Sequence, residues 1–273
     1  MFITRLISGI ILLILAFVSF HFGGNLLAAV LLLLSLSGYT ELMNALKIKQ
    51  EKKFNSLTIF GYIAIVAYYS AMAMTDNTRL LVMIVVFSII FYLMLYVFTF
   101  PKYQIENVSE AIFSFLYAPV MLSFVYLTRA LPDGKYIVWM ILISSWGFDT
   151  CAYSVGMLFG KTIGNHKFLP KLSPKKSIEG VVGGIVGAGA IAYAYGSFVM
   201  PEAKWLLMII AAVGGVIAQI GDLAASAIKR NKDIKDYGKI IPGHGGVMDR
   251  FDSSIFTAPM IYFLAQLFLY SMI

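Results

Sequence analysis

Charge is scarce in this chain. Asp, Glu, Lys and Arg make up 13% of its 273 residues, against about 25% in a soluble domain. An ordinary water-soluble fold is therefore excluded. Cysteine is nearly absent: Cys151 stands alone, so no intramolecular disulfide can form, and a structural filler role is expected for it. The three histidines, His21, His166 and His244, are scattered, and no His/Cys cluster offers a zinc site. Alternating apolar and polar residues of the kind a membrane β-barrel needs are missing. No clear internal repeat is present, which weighs against a transporter built from inverted repeats. Long polar stretches and low-complexity linkers are missing too.

What fills the chain is apolar sequence. Hydrophobic residues reach 60%, and the mean hydropathy is +0.83. The apolar residues come in blocks long enough for helices that cross a bilayer, which needs about 20 residues at a rise of about 1.5 Å each. Nine such blocks are expected: 4–22, 25–45, 56–74, 79–100, 108–130, 136–159, 178–200, 203–228 and 252–272. The fold class is all-α, a polytopic integral membrane protein. The first block follows Arg5 and is long for a signal peptide, with no convincing small-residue cleavage site after it, so it is expected to be a retained helix.

The 21 cations fix an orientation. Seventeen fall at the N-terminus and in the loops after the second, fourth, sixth and eighth blocks. Only Arg79, Arg129, Lys135 and Lys204 fall on the other side. Positive residues favour the cytoplasmic side. The N-terminus is therefore expected in the cytoplasm and the C-terminus outside, in a cell's inner (plasma) membrane, with any active site facing the cytoplasm. The net charge of +7 is expected to attract anionic lipid headgroups and nucleotides. Nucleic acid is not an expected partner of so apolar a chain.

Polar residues are unevenly spread, and the spread suggests two regions. Residues 1–135 read as a transmembrane scaffold. Residues 136–273 read as a catalytic region with cytoplasmic loops 160–177 and 229–251. Asp149 lies in the apolar run ISSWGFDTCAYSVG, where an ionised carboxylate costs about 2.5–3.5 kcal/mol on insertion scales. It should face a cavity, a cation or a partner. Asp222 repeats the anomaly in the eighth block. Ser226 and Lys229 follow it at i+4 and i+7, so the three share one helical face. That face reads as the wall of a polar cavity opening inward.

The densest polar stretch runs from Ser226 to Asp252 around Pro242-Gly243-His244-Gly245-Gly246. Gly245 and Gly246 can take backbone conformations that bring amide N–H groups close to phosphate. Phosphate contact or turn structure is favoured for His244 over a general-base role. Asp249 and Asp252 follow the turn. Carboxylates from the sixth and eighth blocks plus this loop suit Mg²⁺, a hard cation that shares oxygens with a substrate phosphate. The expected metal set is Asp149, Asp222 and Asp249. In the other loop, Lys171, Lys175, Lys176 and Ser177 precede a helix start where phosphate is favoured. Gly180 is expected to let backbone approach phosphate there, whereas Gly184, Gly187 and Gly189 are expected to serve helix packing. Glu179 and Glu41 remain outside the core set, since capping, packing or interface roles explain them as well.

Three stretches, Ser226-Ala-Ile-Lys229-Arg230, Lys235-Asp236-Tyr-Gly238 and Pro242-Gly-His244-Gly245-Gly246-Val-Met-Asp249-Arg250-Phe-Asp252, resemble the signature of the phosphatidate cytidylyltransferases of bacterial type, the CDP-diacylglycerol synthases. Ser173-Pro174-Lys175-Lys176-Ser177-Ile-Glu179-Gly180 is similar to the family's other cytoplasmic motif, with Ser177 where Thr is more usual. Motif coverage is residues 145–252; the first half resembles the family in hydropathy. The resemblance implies that CTP and phosphatidate give CDP-diacylglycerol and pyrophosphate, with Mg²⁺ and room for a second cation. It implies metal-binding or catalytic roles for Asp149, Asp222 and Asp249. Lys229, Arg250 and His244 join Asp222 and Asp249 as expected catalytic residues. Lys171, Lys175, Lys176, Ser177, Gly180, Ser226, Arg230, Gly245 and Gly246 are the expected substrate contacts. Membrane lipids are the expected surroundings and a homodimer the expected assembly. A cation- or proton-coupled transporter would also explain Asp149 and Asp222, but not the cation-rich Gly-His-Gly-Gly turn. No DGxxAR-type motif of the CDP-alcohol phosphotransferases is present.

Overall fold

The computed structural model describes residues 2–46, 55–75, 77–159, 166–170 and 172–269. Among them the chain is helical and forms no β-strand. The helical segments are α1 (Phe2–Phe22), α2 (Gly24–Ala45), α3 (Ser56–Met74), α4 (Thr78–Phe98), α5 (Ile105–Ala130), α6 (134–159), α7 (Ile178–Val199), α8 (Lys204–Asn231) and α9 (Met248–Leu269). Their ends fall close to those expected from hydropathy, because length and apolarity decide where such a helix runs. Seven of them are long and apolar enough to cross a membrane among the described residues. The uninterrupted apolar part of α1 is shorter, Leu6–Phe22. The sixth segment is broken into Gly134–Ile137, Trp139–Leu142, a π turn at Ile143–Gly147 and Phe148–Phe159.

Local chemistry sets several of these ends. Gly23 and Gly24 take left-handed φ values of 63° and 50° and separate α1 from α2. The Asn55 side chain accepts from the Thr58 amide at 2.8 Å and starts α3. Ser177 does the same for α7, accepting from Gly180 N–H at 3.1 Å. Lys229 and Arg230 close α8, where the helix dipole favours cations.

The chain packs as two units. One comprises Met1–Tyr126 with Ile234–Arg250; the other comprises Leu127–Asp233 with Phe251–Ile273. The segment Ile234–Arg250 thus belongs to the same unit as the N-terminal helices, and α8, which precedes it in sequence, belongs to the other.

In the first unit a cluster of buried aromatics holds α2 to α5 together. Tyr39, Tyr69, Tyr92 and Phe115 are fully buried. Their hydroxyls are satisfied inside: Tyr39 and Tyr92 share a bond of 3.2 Å, and Tyr69 meets Ser35 at 2.7 Å and donates to the Pro119 carbonyl at 2.9 Å. That carbonyl lies in a second π turn, Leu116–Val120, which contains Pro119. In the second unit α6, α7 and α8 close on Phe148, which is fully buried. A Cβ on Gly184 would meet its ring at 2.6 Å, and one on Gly215 at 2.8 Å. A Cβ on Gly187 would meet Cys151 Sγ at 2.5 Å. The small-residue stripe of α7 is a close-packing surface, as the sequence suggests, and Cys151 fills space against it. Outward-facing Ile, Leu, Val and Phe on α1 and α4 remain exposed, an apolar surface suited to lipid.

Candidate active site

Polar chemistry gathers in each unit separately. In the second unit the loop before α7 lays Lys176 across one face of α8. Its Nζ pairs with Asp222 Oδ2 and donates to Gln219 Oε1 at 3.1 Å. Gln219 and Asp222 are three residues apart, one helical turn, so a single ammonium bridges both. A cavity of about 330 Å³ lies beside them, lined by Asp149, Lys175, Lys176, Ser177, Gly180 and Gln219 with apolar walls from Tyr153 and Met157. Asp149 is exposed on this cavity. Its place in an apolar run is thus explained by an opening.

Asp252 extends the acidic group. It is buried, and its carboxylate is repelled by Asp222 and Asp149 and attracted by Lys229. Asp252 on α9 thus lies within electrostatic reach of acids on α6 and α8. Like charges brought together from three helices fit a cation of opposite charge, and their hard oxygens fit Mg²⁺. Lys176 and Lys229 supply the positive charge beside them. Among the described residues no group of three His, Cys, Asp or Glu is already drawn together as a metal cluster.

In the first unit the turn at 241–245 is closed by its own backbone. Ile241 N donates to Gly245 O at 2.8 Å, and His244 N donates to Ile241 O at 3.0 Å. Gly243 and Gly245 adopt φ of 76° and 88°, which a side chain would resist. Asp249 Oδ2 accepts from the amides of Tyr237 at 2.8 Å and Gly246 at 3.0 Å. Glu41, buried in α2, accepts from Val247 N at 3.0 Å and Met248 N at 2.9 Å. It thereby satisfies amides at the start of α9, where the helix dipole favours an anion. Gly238 and Gly246 lie against the Glu41 carboxylate so closely that a Cβ on either would overlap it. Ser8 Oγ meets His244 Nδ1 at 2.6 Å and also lies 3.2 Å from the Pro242 carbonyl. The framework bounds a cavity of about 660 Å³ lined by Lys235, Asp236, Lys239, His244, Gly245 and Arg250, among others.

The expected site residues thus divide. Asp149, Asp222, Lys175, Lys176, Ser177 and Gly180 converge in the second unit; His244, Gly245 and Arg250 line the cavity of the first, with Gly246 and Asp249 buried behind them. Ser226 and Lys229 are half-buried on α8 and Arg230 is exposed at its end. Lys171 lies outside the described residues. Ser177 uses its oxygen as a helix cap, and a Cβ on Gly180 would meet the Ala152 carbonyl oxygen at 2.8 Å. Glu179 binds the His166 ring at 2.6 Å and ties the loop to α7. Sequence reasoning missed Gln219 and Ser8 and left Glu41 and Asp252 unassigned. A buried Glu in an apolar helix was the one signal available, and it pointed equally to the interface.

Comparison with known proteins bears on this geometry as a whole. The model of the cytidylyltransferase family matches residues 3–268. A phosphatidate cytidylyltransferase of Staphylococcus haemolyticus is 31% identical over 263 residues, covering 96% of this chain and 98% of the relative. One from Staphylococcus epidermidis is 34% identical over 248 residues, covering 89% and 90%. One from Bacillus subtilis is 41% identical over 136 residues, about half of each chain. With the match running nearly end to end, the chain belongs to the cytidylyltransferase family.

Proposed function

We propose that this multi-pass membrane protein transfers the cytidylyl group of CTP to phosphatidate. A phosphate oxygen of phosphatidate attacks the α-phosphorus of CTP, the bond to the bridging α,β oxygen breaks, and pyrophosphate leaves. The product is CDP-diacylglycerol. The observation that carries this reading is the pairing, within the second unit, of an acidic group with a lysine-lined cavity whose remaining walls are apolar. A lipid phosphate needs both cations and an apolar border.

Each residue then has physical work. Lys175 and Lys176 offer ammonium donors to phosphate oxygens. Lys235, Lys239 and Arg250 offer a second set of cations suited to a polyphosphate, in a cavity whose glycines admit close approach of backbone amides. Asp249 holds that turn in shape. Asp249, expected in the metal set from the sequence, lies in the first unit, where its Oδ2 accepts from two amides; Asp149, Asp222 and Asp252 are the residues that would hold Mg²⁺ in the second unit. Bound there, Mg²⁺ would neutralise charge developing on phosphate oxygens. The rest of the rate enhancement is positioning and electrostatics, as in phosphoryl transfer generally. In this reading all nine segments cross the membrane, with the N-terminus and both basic loops in the cytoplasm and the C-terminus outside, so that CTP arrives from water and phosphatidate from the bilayer.

Purified protein in detergent, given CTP, Mg²⁺ and phosphatidate, is expected to form CDP-diacylglycerol and pyrophosphate. Polyprenyl phosphate in place of phosphatidate is expected to give no product; an equal rate with it would overturn the lipid assignment.

A further inference from the structure

Gln219 is an unusual residue for the middle of an apolar helix. It is 4% exposed, and its surroundings include Ala218, Gly215 and Leu223 along α8. Its orientation is forced. Lys176 Nζ has donors only, so the amide atom 3.1 Å from it must be the oxygen. The other end, Nε2, carries two N–H donors and is buried with no hydrogen-bond partner among the described residues. A buried donor without an acceptor is destabilising, and a methionine would fill the same space without that cost. Gln219 also forms part of the wall of the 330 Å³ cavity, beside Asp149, Lys175 and Lys176.

We infer that Gln219 is a substrate-binding residue whose Nε2 donates to a phosphate oxygen of substrate bound in this cavity. The inference rests on the reading of the site given above and deepens it. Phosphate oxygens are acceptors, and the donors on hand include the two lysines and this amide. The amide is held through its oxygen by Lys176, so the same lysine that meets phosphate also aims Gln219. The shared chemistry is a phosphate group, carried by either the lipid or the nucleotide.

Two variants separate this role from a merely structural one. Gln219→Glu keeps an oxygen for Lys176 but replaces the donor with an anion. Gln219→Met removes both ends at similar volume. Full-length protein in lipid nanodiscs is assayed for KM of each substrate, and its thermal midpoint is read with phosphatidate alone and with CTP alone. The wild-type arm decides the reading of the reaction: without CDP-diacylglycerol that reading falls, while the binding arm still reports on Gln219. The inference expects Gln219→Glu to raise KM about tenfold or more for one substrate, with kcat changed less, and to lose thermal stabilisation by that ligand alone. Loss with phosphatidate assigns the lipid phosphate; loss with CTP assigns a nucleotide phosphate. It expects Gln219→Met to melt at or above the wild-type midpoint without ligand, yet to bind the same substrate more weakly. The inference is overturned if Gln219→Glu matches wild type in both KM values, if it weakens both ligands equally, or if Gln219→Met lowers the ligand-free midpoint and leaves both KM values unchanged.

Discussion

The two polar centres are built by opposite means. The centre in the first unit is made of backbone. Gly243 and Gly245 set its turn, Asp249 and Glu41 hold four amides among them, and its cations stand at the rim. The centre in the second unit is made of side chains: Lys176, on the loop before α7, reaches across to Asp222 and Gln219 on α8, and Asp149 on α6 lines the same cavity. A backbone-built centre should fail when space is taken from it, because its shape and its fold are one thing. A side-chain-built centre should fail when charge is changed, with the fold preserved, because the helices around it pack on other residues such as Phe148.

The sharpest way to break this contrast is at Asp222. Asp222→Asn is expected to lower kcat by about 10²-fold or more and to leave the thermal midpoint near wild type, read by assay and unfolding scan on one preparation. A midpoint loss matching the loss of activity would make the second centre structural as well. Next in size is Glu41→Ala. It leaves two buried amides without an acceptor, at about 1–3 kcal/mol each, so a fall of several degrees in the midpoint is expected. Glu41→Gln, which keeps one acceptor oxygen, should recover part of it. Equal midpoints for Glu41→Ala and wild type would remove Glu41 from the framework.

Gly246→Ala should follow, with stability and activity falling together, since its Cβ overlaps the Glu41 carboxylate. Activity lost at an unchanged midpoint would instead place Gly246 against substrate. The smallest effect is expected for Lys175→Ala. This lysine is exposed at the cavity rim, so KM should rise by about tenfold or less, with kcat and midpoint nearly unchanged. Unchanged KM values would leave Lys175 as a topological signal only.

Much of the fold could be read from the sequence because apolar length is a coarse and robust signal. The helix ends of α3 and α7 needed little beyond hydropathy, whereas α9 begins at Met248, four residues before the apolar block that marks it, and the capping by Asn55 and Ser177 was not read. The break in α6 could not be read. At its π turn Ser145 donates to the Ile141 carbonyl at 2.7 Å and meets Ser254 at 3.1 Å, and the second partner comes from 109 residues away. Charged site residues were conspicuous, since a lone Asp149 or Asp222 in apolar sequence demands an explanation. Their supports were not. Glu41 meets amides 206 and 207 residues away, and Ser8 meets a histidine 236 residues away. Gln219 carries no charge and raises no alarm in a hydropathy profile. Asp252 draws attention in sequence only as part of the signature, whereas its grouping with Asp149 and Asp222 depends on how three helices pack.

The most direct measurement follows the phosphorus atoms of CTP. Purified protein is supplied with phosphatidate, Mg²⁺ and CTP labelled at either the α or the γ phosphate, and the lipid is extracted. Label from the α position should appear in lipid and label from the γ position should stay in water as pyrophosphate. Label from the γ position entering the lipid, or neither label entering it, would contradict cytidylyl transfer.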